Sequence, residues 1–285
     1  MEIISHYRQR DELRKSFNDL AEETFGLNFE NWYRMGYWGE NYTPYSILED
    51  GEVVANVSVN RTDLVICGEK KRIYQLGTVM TKREYRNRGY IRAIMAEIEK
   101  QLSDGDGVYL FANDEVLEFY PKFGFCRGTE YEYFRAVEQT GPCRMEKVPM
   151  DRAENRARLE AAIASGAAVS DCDMVDNPGL IFFYAAQFLC ECVYYCRELD
   201  VWAIAEQEDG ALLLHAVFGG KASLNAVIEA FGASVRQVSL GFSPAEKSGW
   251  KCRVLREEDC TFFIKGAVFD AFAEKKLRIP SLAHA

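Results

Sequence analysis

The sequence predicts a mixed α/β chain of two similar halves, each a mostly antiparallel sheet with one strand–helix–strand crossover and flanking helices. Three observations carry this reading. Short alternating apolar runs separated by tight turns occur in both halves, as strands of an antiparallel meander require. In each half an amphipathic stretch is followed by a short apolar run, the pattern of a helix leading into a buried parallel strand. Finally, pieces recur at an offset of about 125 residues: Gly124-Phe125-Cys126-Arg127 against Gly249-Trp250-Lys251-Cys252-Arg253, and Tyr131–Phe134 against Phe262–Ile264. A chain of 285 residues is long enough for two domains. Gly141-Pro142 reads as the linker, so the domains are set at 1–140 and 141–285.

The elements follow in order. Asp11 to Phe25 is rich in Leu, Ala and Glu and brings Leu13, Phe17, Leu20 and Phe25 near one helix face. An aromatic stretch runs from Phe29 through Trp32, Tyr33, Tyr37, Trp38 and Tyr42 to Tyr45. Tyr45–Leu48 starts a strand, Glu49-Asp50-Gly51 turns, and Val53 to Val65 continues with Val53, Ala55, Val57 and Val59 on one face. A third strand spans Arg72–Thr81. Ile91, Ile94, Met95, Ile98 and Leu102 then form one apolar helical stripe, and Val108–Ala112 reads as the parallel strand beyond it. The connection should be a right-handed crossover. In the second half, strands are expected at Val201–Ala205, Ala211–Phe218 and Val235–Phe242, with a helix over Ala222–Phe231.

Composition excludes several classes of function. Against 34 Lys and Arg stand 44 Asp and Glu, a formal net charge of −10. That balance lacks the basic footprint that nucleic acid or an anionic lipid surface demands. The longest strongly apolar stretch, Gly179 to Cys190, is too short to span a bilayer. The N-terminal MEIISHYRQRDELRK is charged where a secretory signal needs its apolar core, so a cytoplasmic protein is expected. The nine cysteines are scattered, as expected of free thiols in a reducing compartment. Cys190, Cys192 and Cys196 cluster but lack a second pair or a nearby histidine, so they read as small buried hydrophobes and no metal is expected.

Chemistry concentrates in two segments. The first, Tyr74 to Ile91, runs from a strand through a polar loop into the start of the amphipathic helix. A helix N-terminus presents unpaired N–H groups and about half a positive charge, which suits phosphate. Gly89 allows close backbone approach, and Arg86 and Arg88 add positive charge. Neither a GxxxxGK loop nor GxGxxG is present. The second segment, Leu110 to Phe125, leaves the parallel strand, with Asn113 able to cap a short helix and Tyr120 seven residues on. A Tyr, with a pKa of about 10, can give a proton to a departing thiolate.

Together these segments resemble the GNAT superfamily of acetyl-CoA-dependent N-acetyltransferases. That family's phosphate loop reads R/Q-x-x-G-x-G/A, against Arg86-Asn87-Arg88-Gly89-Tyr90-Ile91 here. Its later motif N-x-x-A-x-x-x-Y-x-K-x-G-F is matched by Asn113, Tyr120, Lys122, Gly124 and Phe125. The close match covers roughly residues 70–125. Ile91 replaces the last Gly/Ala, Val116 replaces the Ala, and Pro121 follows Tyr120, biasing it away from helical geometry. The resemblance implies that Thr78, Val79 and Met80 meet the pantetheine arm of acetyl-CoA and that the loop from Arg86 to Ile91 holds the pyrophosphate. It also implies that Asn113 and Tyr120 lie near the thioester sulfur, with Tyr120 protonating the thiolate after direct attack by an amine.

For the acceptor, the resemblance places a binding wall in the aromatic stretch, with Trp32, Tyr33 and Trp38 as its candidates. An acidic chain with such a wall suits a small, cationic primary amine. A homodimer is among the assemblies the sequence allows. The second half keeps the strand–helix–strand plan but has Phe218-Gly219-Gly220-Lys221-Ala222-Ser223 where the phosphate loop would recur, and no counterpart of Tyr120. Tandem arrangements with one inactive half occur in the enhanced-intracellular-survival-type acetyltransferases and in mycothiol synthase-like enzymes. In the former a terminal carboxylate serves as base. Gln75 offers no base on the strand before the loop, so the resemblance extends that role to Ala285; the alternative is that the apolar segment 275–285 only packs on the second sheet. Two other functions compete: a non-catalytic acyl-CoA-binding or regulatory module, and a Fem-type aminoacyl transferase, which the acidic charge disfavours because it must hold tRNA.

Overall fold

A computed structural model describes residues 2–102, 105–166 and 169–284. Its first sheet runs in the order Ile3–Ser5, Tyr42–Glu49, Glu52–Arg61, Ile73–Thr81, Gly107–Ala112, Thr261–Lys265, Cys126–Arg127. Its second runs Glu146–Lys147, Val193–Cys196, Val201–Glu208, Ala211–Phe218, Gln237–Leu240, Tyr131–Ala136, Lys251–Val254. In each sheet the fourth and fifth strands are parallel and the other pairings antiparallel. The parallel pair is bridged by helix Tyr90–Gln101 in the first sheet and by Leu224–Ala230 in the second. The repeat seen in the sequence is therefore one topology used twice.

One strand of each unit lies in the other's sheet. Tyr131–Ala136 leaves the first half to sit between Gln237–Leu240 and Lys251–Val254. Thr261–Lys265 leaves the second half to sit between Gly107–Ala112 and Cys126–Arg127. A boundary at 140 thus does not separate the two sheets, and the division at 1–140 and 141–285 is corrected. Hydrogen bonds depend on the backbone, so two strands of like pattern can trade places at little cost when the linker reaches.

Helix Asp11–Phe25 and helix Tyr90–Gln101 both pack against Glu52–Arg61. That strand is accordingly buried from Val53 to Asn60, including its polar face. Buried polar groups need partners. The Tyr7 hydroxyl meets Ser46 Oγ at 2.6 Å, Ser46 Oγ donates to Asn56 Oδ1, and Asn56 Nδ2 donates to Ser58 Oγ and to Thr78 O. Phe25, expected on the core face of its helix, is instead 43% exposed at the helix's last residue. A small hairpin, Leu64–Ile66 with Glu69–Lys71, takes the stretch expected to extend the second strand, and pairs with Cys172–Met174. Among the described residues no helix is long and apolar enough to cross a membrane.

The segment after Lys276 docks. Leu277, Ile279, Leu282 and Ala283 are buried. The Ile279 N–H donates to Glu130 Oε1 at 2.7 Å, Arg278 N–H to Ser243 Oγ, and Ser281 N–H to Gly241 O. Burial pushes the Glu130 carboxyl up to about 7, against the pull of Arg278 and the Ile279 N–H. An unfolded Glu titrates near about 4.3. The folded state therefore holds the proton more tightly, and the stability it contributes is complete below that value and lost as pH rises through about 7. Glu130→Gln keeps an acceptor oxygen and removes the charge. Its urea midpoint relative to the parent should climb between about pH 5 and about pH 8 and level off above. A pH-independent difference would show that Glu130 does not titrate in that window.

Candidate active site

The site begins with an interrupted ladder. Ile73–Gln75 pair in parallel with Gly107–Tyr109, and the pairing stops there. Beyond it Leu110, Phe111 and Ala112 pair only with Thr261–Phe263 on their other side, so the two parallel strands splay. Within Ile73–Thr81, Ser58 faces Gly77 and Asn56 faces Met80, so Val57 stands opposite both Thr78 and Val79. This is a β-bulge, which bends a strand and re-aims its polar groups. Thr78 has φ +47°, a costly conformation for a β-branched residue. Two contacts hold it there: Tyr42 Oη to Thr78 Oγ1 at 2.6 Å, and Asn56 Nδ2 donating to Thr78 O at 2.9 Å.

The strand leads through Arg83–Tyr85 and Asn87, also at positive φ, to Gly89, the N-cap of helix Tyr90–Gln101. Gly89 has φ +80°, and a Cβ placed on it would meet nothing within 4 Å. Among the described residues no side chain caps this helix. Its counterpart in the second half differs on both counts. Ser223 Oγ accepts from the Ala226 N–H, and a Cβ on Gly220 would lie 2.7 Å from Leu199 O. Gly219-Gly220-Lys221 is therefore a packed turn before a capped helix, whereas Gly89 opens a helix whose amides are free for an anion.

A cleft of about 820 Å³ joins these parts. Of the residues read from sequence, Trp32, Thr78, Val79, Met80, Arg86, Asn87, Ile91, Asn113 and Tyr120 line it. Arg88, Gly89 and Tyr90 do not: the Arg88 guanidinium lies over Tyr85 and donates to Glu84 O, and the Tyr90 hydroxyl donates to Glu49. Tyr33 and Trp38 are also not brought to the cleft. Tyr33 sits under the Arg14 guanidinium at 3.7 Å and donates to Gln9, and Trp38 is buried with its Nε1–H on Tyr42 O. Ala285 lies outside the described residues.

Asn113 does not cap a helix. Its side chain makes no cap hydrogen bond, and the following residues form two short 3₁₀ turns, Asp114–Val116 and Tyr120–Phe123. Pro121 enforces the second. Tyr120 nonetheless reaches the cleft, wedged against Phe119, Phe125 and Phe263. Burial alone lifts its hydroxyl to about 12, so it carries its proton at neutral pH.

Much of the remaining lining escaped the sequence reading. Leu180, Phe183, Tyr184 and Phe188 come from helix Pro178–Phe183 and the turn after it, with Asp259 and His284 beside them. The sequence signal for it is the apolar run Gly179–Cys190. Asn177 caps this helix through the Leu180 N–H and anchors it to Asn60 and Arg61 O. Trp32 Nε1 donates to Gly179 O at 2.8 Å, and a Cβ on Gly179 would stand 2.5 Å from Tyr37 O. Gly179→Ala must therefore push backbone from backbone. It should destabilise the chain by about 1–3 kcal/mol, the usual range for overpacking, and a thermal midpoint equal to the parent's would refute the contact.

The comparisons agree with this geometry. Residues 7–128 match the acetyltransferase (GNAT) domain family. Among curated proteins nothing matches. Several solved structures share the architecture across both sheets. A conserved Enterococcus faecalis protein, described as a probable N-acyltransferase, is 15% identical with a TM-score of 0.59, over 96% of this chain and 74% of its own. Eis1 from Mycobacterium abscessus is 12% identical with a TM-score of 0.54, over 92% and 73%. A GCN5-related N-acetyltransferase from Anabaena variabilis is 13% identical with a TM-score of 0.55, over 93% and 72%. At these identities the likeness is one of fold. The splayed, bulged strands and the open helix N-terminus fall within residues 7–128, the segment that matches the GNAT acetyltransferase domain family.

Proposed function

We propose that this protein transfers the acetyl group of acetyl-CoA to the primary amine of a small acceptor. The observation that carries the reading is the splay beyond Gln75, which leaves the Leu76–Thr81 backbone without a ladder partner on its cleft side. An extended amide-bearing arm such as pantetheine can pair there as a strand would. The amides at the start of helix Tyr90–Gln101 bind the pyrophosphate, with Arg86, which lines the cleft, adding charge. When bound, acetyl-CoA supplies an activated acyl carbonyl. Backbone N–H groups around the Thr78 bulge stabilise the oxyanion. Tyr120 gives its proton to the leaving sulfur and is reprotonated from solvent, which also takes up the proton that the attacking amine loses.

The acceptor enters against Trp32, Leu180, Phe183, Tyr184 and Phe188, with the Asp259 carboxylate at the same wall. That lining supports an amine carried on an apolar or aromatic body, held by ring contacts and one negative charge. Calorimetry with acetyl-CoA followed by an acetylation assay over a panel of amines tests the reading. Micromolar acetyl-CoA binding and turnover with aryl- or alkylamines are expected. Binding without turnover on any amine would favour a regulatory acyl-CoA-binding module instead.

A further inference from the structure

A group of metal-ligating side chains to which no step of the transfer is assigned stands at the edge of the cleft, with His284 in its lining. The loop between strands Lys251–Val254 and Thr261–Lys265 carries Glu257 and Cys260, and the docked segment brings up His284. One imidazole nitrogen, the Cys260 sulfur and a Glu257 carboxylate oxygen all lie within 4.8 Å of one another. Among the described residues this is the only such group of three. His284 is held firmly. Its ring stacks on Phe111 with centroids 3.7 Å apart, the Tyr109 hydroxyl donates to Ala283 O at 2.5 Å, and Ser281 Oγ meets His215 Nδ1 at 2.9 Å. Yet His284 Nε2, shielded from solvent, has no hydrogen-bond partner among the described residues. An orphaned buried polar atom costs about 1–3 kcal/mol, so a fold that fixes one in place needs a reason.

A cation is such a reason. A sulfur, an imidazole nitrogen and a carboxylate oxygen are the donor types zinc takes, and three protein ligands leave a fourth position open. Around zinc, ligand atoms sit roughly 3.3–3.8 Å apart, so the group need close by no more than about 1–1.5 Å. Glu257 is exposed on its loop and can supply that movement, while His284 stays fixed. We propose that Glu257, Cys260 and His284 bind one zinc-class divalent cation, which ties the 255–260 loop to the docked chain end at the edge of the cleft. Binding releases the Cys260 thiol proton to solvent, and no electron transfer is involved. The cation would fix Asp259 and His284, two residues of the acceptor wall. The proposal does not depend on which acyl group or amine the protein uses.

The test uses the full chain, stripped with a chelator and titrated with cobalt(II) alone. Thiolate ligation gives a near-ultraviolet sulfur-to-cobalt charge-transfer band. The band should saturate at one equivalent per chain and be displaced by zinc. Cys260→Ser should abolish it with an unchanged far-ultraviolet circular dichroism spectrum. His284→Ala retains the sulfur, so it should keep the band but weaken cobalt affinity by at least about tenfold. Cys190→Ser should change nothing. Absence of a saturable band, its survival in Cys260→Ser, or undiminished affinity in His284→Ala would overturn the proposal. Acetyl-CoA calorimetry on the stripped protein reads the transfer site separately.

Discussion

Replacing Gly89 with glutamate should abolish acetyl-CoA binding while leaving the chain folded. The position is open, with nothing within 4 Å of a Cβ, so the side chain meets no steric obstacle. Its cost has two parts. Any L-residue at φ +80° is strained, by about 1–3 kcal/mol. The glutamate also brings a negative charge beside the helix-start amides proposed to hold the pyrophosphate. At about 4 Å and an effective dielectric near 20, one such pair repels by about 4 kcal/mol, which alone is about a thousandfold in affinity. Gly89→Ala carries the strain without the charge and separates the two. Calorimetry should give a modest loss for alanine and no measurable binding for glutamate. Equal losses in both variants would mean that backbone geometry, not anion binding, is what Gly89 provides, and undiminished binding in the glutamate variant would end the phosphate-loop assignment.

The elements of the fold were legible because each has a local cause. The stripe Ile91–Leu102 has helical period, and helix Tyr90–Gln101 buries Ile94, Met95 and Ile98. The run Val108–Ala112 is apolar because it lies inside the sheet and is mostly buried, and its first residues pair in parallel as expected. The exchange of Tyr131–Ala136 for Thr261–Lys265 was not legible. The two strands look alike, which is what revealed the repeat, and like strands give no local signal of which sheet each will join. Which partner wins depends on how far the linking segments reach, and that is a property of the assembled molecule.

The same division runs through the site. The loop and the Tyr120 motif are each contiguous in sequence, so a local reading reaches the side chains they bring to the cleft: Arg86, Asn87, Ile91, Asn113 and Tyr120. The rest of the cleft wall is assembled from distant pieces: Trp32, the helix Pro178–Phe183, Asp259 and His284. Trp32 was reached through its aromatic neighbours, but so were Tyr33 and Trp38, which serve the core or the surface. An aromatic-rich stretch fixes how much ring area must be buried, not which rings border a cavity.

Tyr120→Phe should lower kcat by roughly 10²–10⁴, the range for lost general-acid help, with acetyl-CoA affinity nearly unchanged. The substitution removes one oxygen and keeps the ring that packs on Phe125 and Phe263, so the short turn Tyr120–Phe123 should persist. Burial raises the hydroxyl to about 12, further above an ordinary thiol near about 8.5 than an exposed tyrosine would be. Two consequences follow. The phenol stays protonated across the working range, so no alkaline limb from Tyr120 should enter the rate profile below about pH 11. A thiolate formed in the same dry surroundings is destabilised by the same desolvation, which narrows the gap again and favours proton donation as the carbon–sulfur bond breaks. The measurement is single-turnover acetylation, which isolates chemistry from product release. A parent rate preserved in the phenylalanine variant would show that water protonates the sulfur, and Tyr120 would then be a packing residue at the cleft floor.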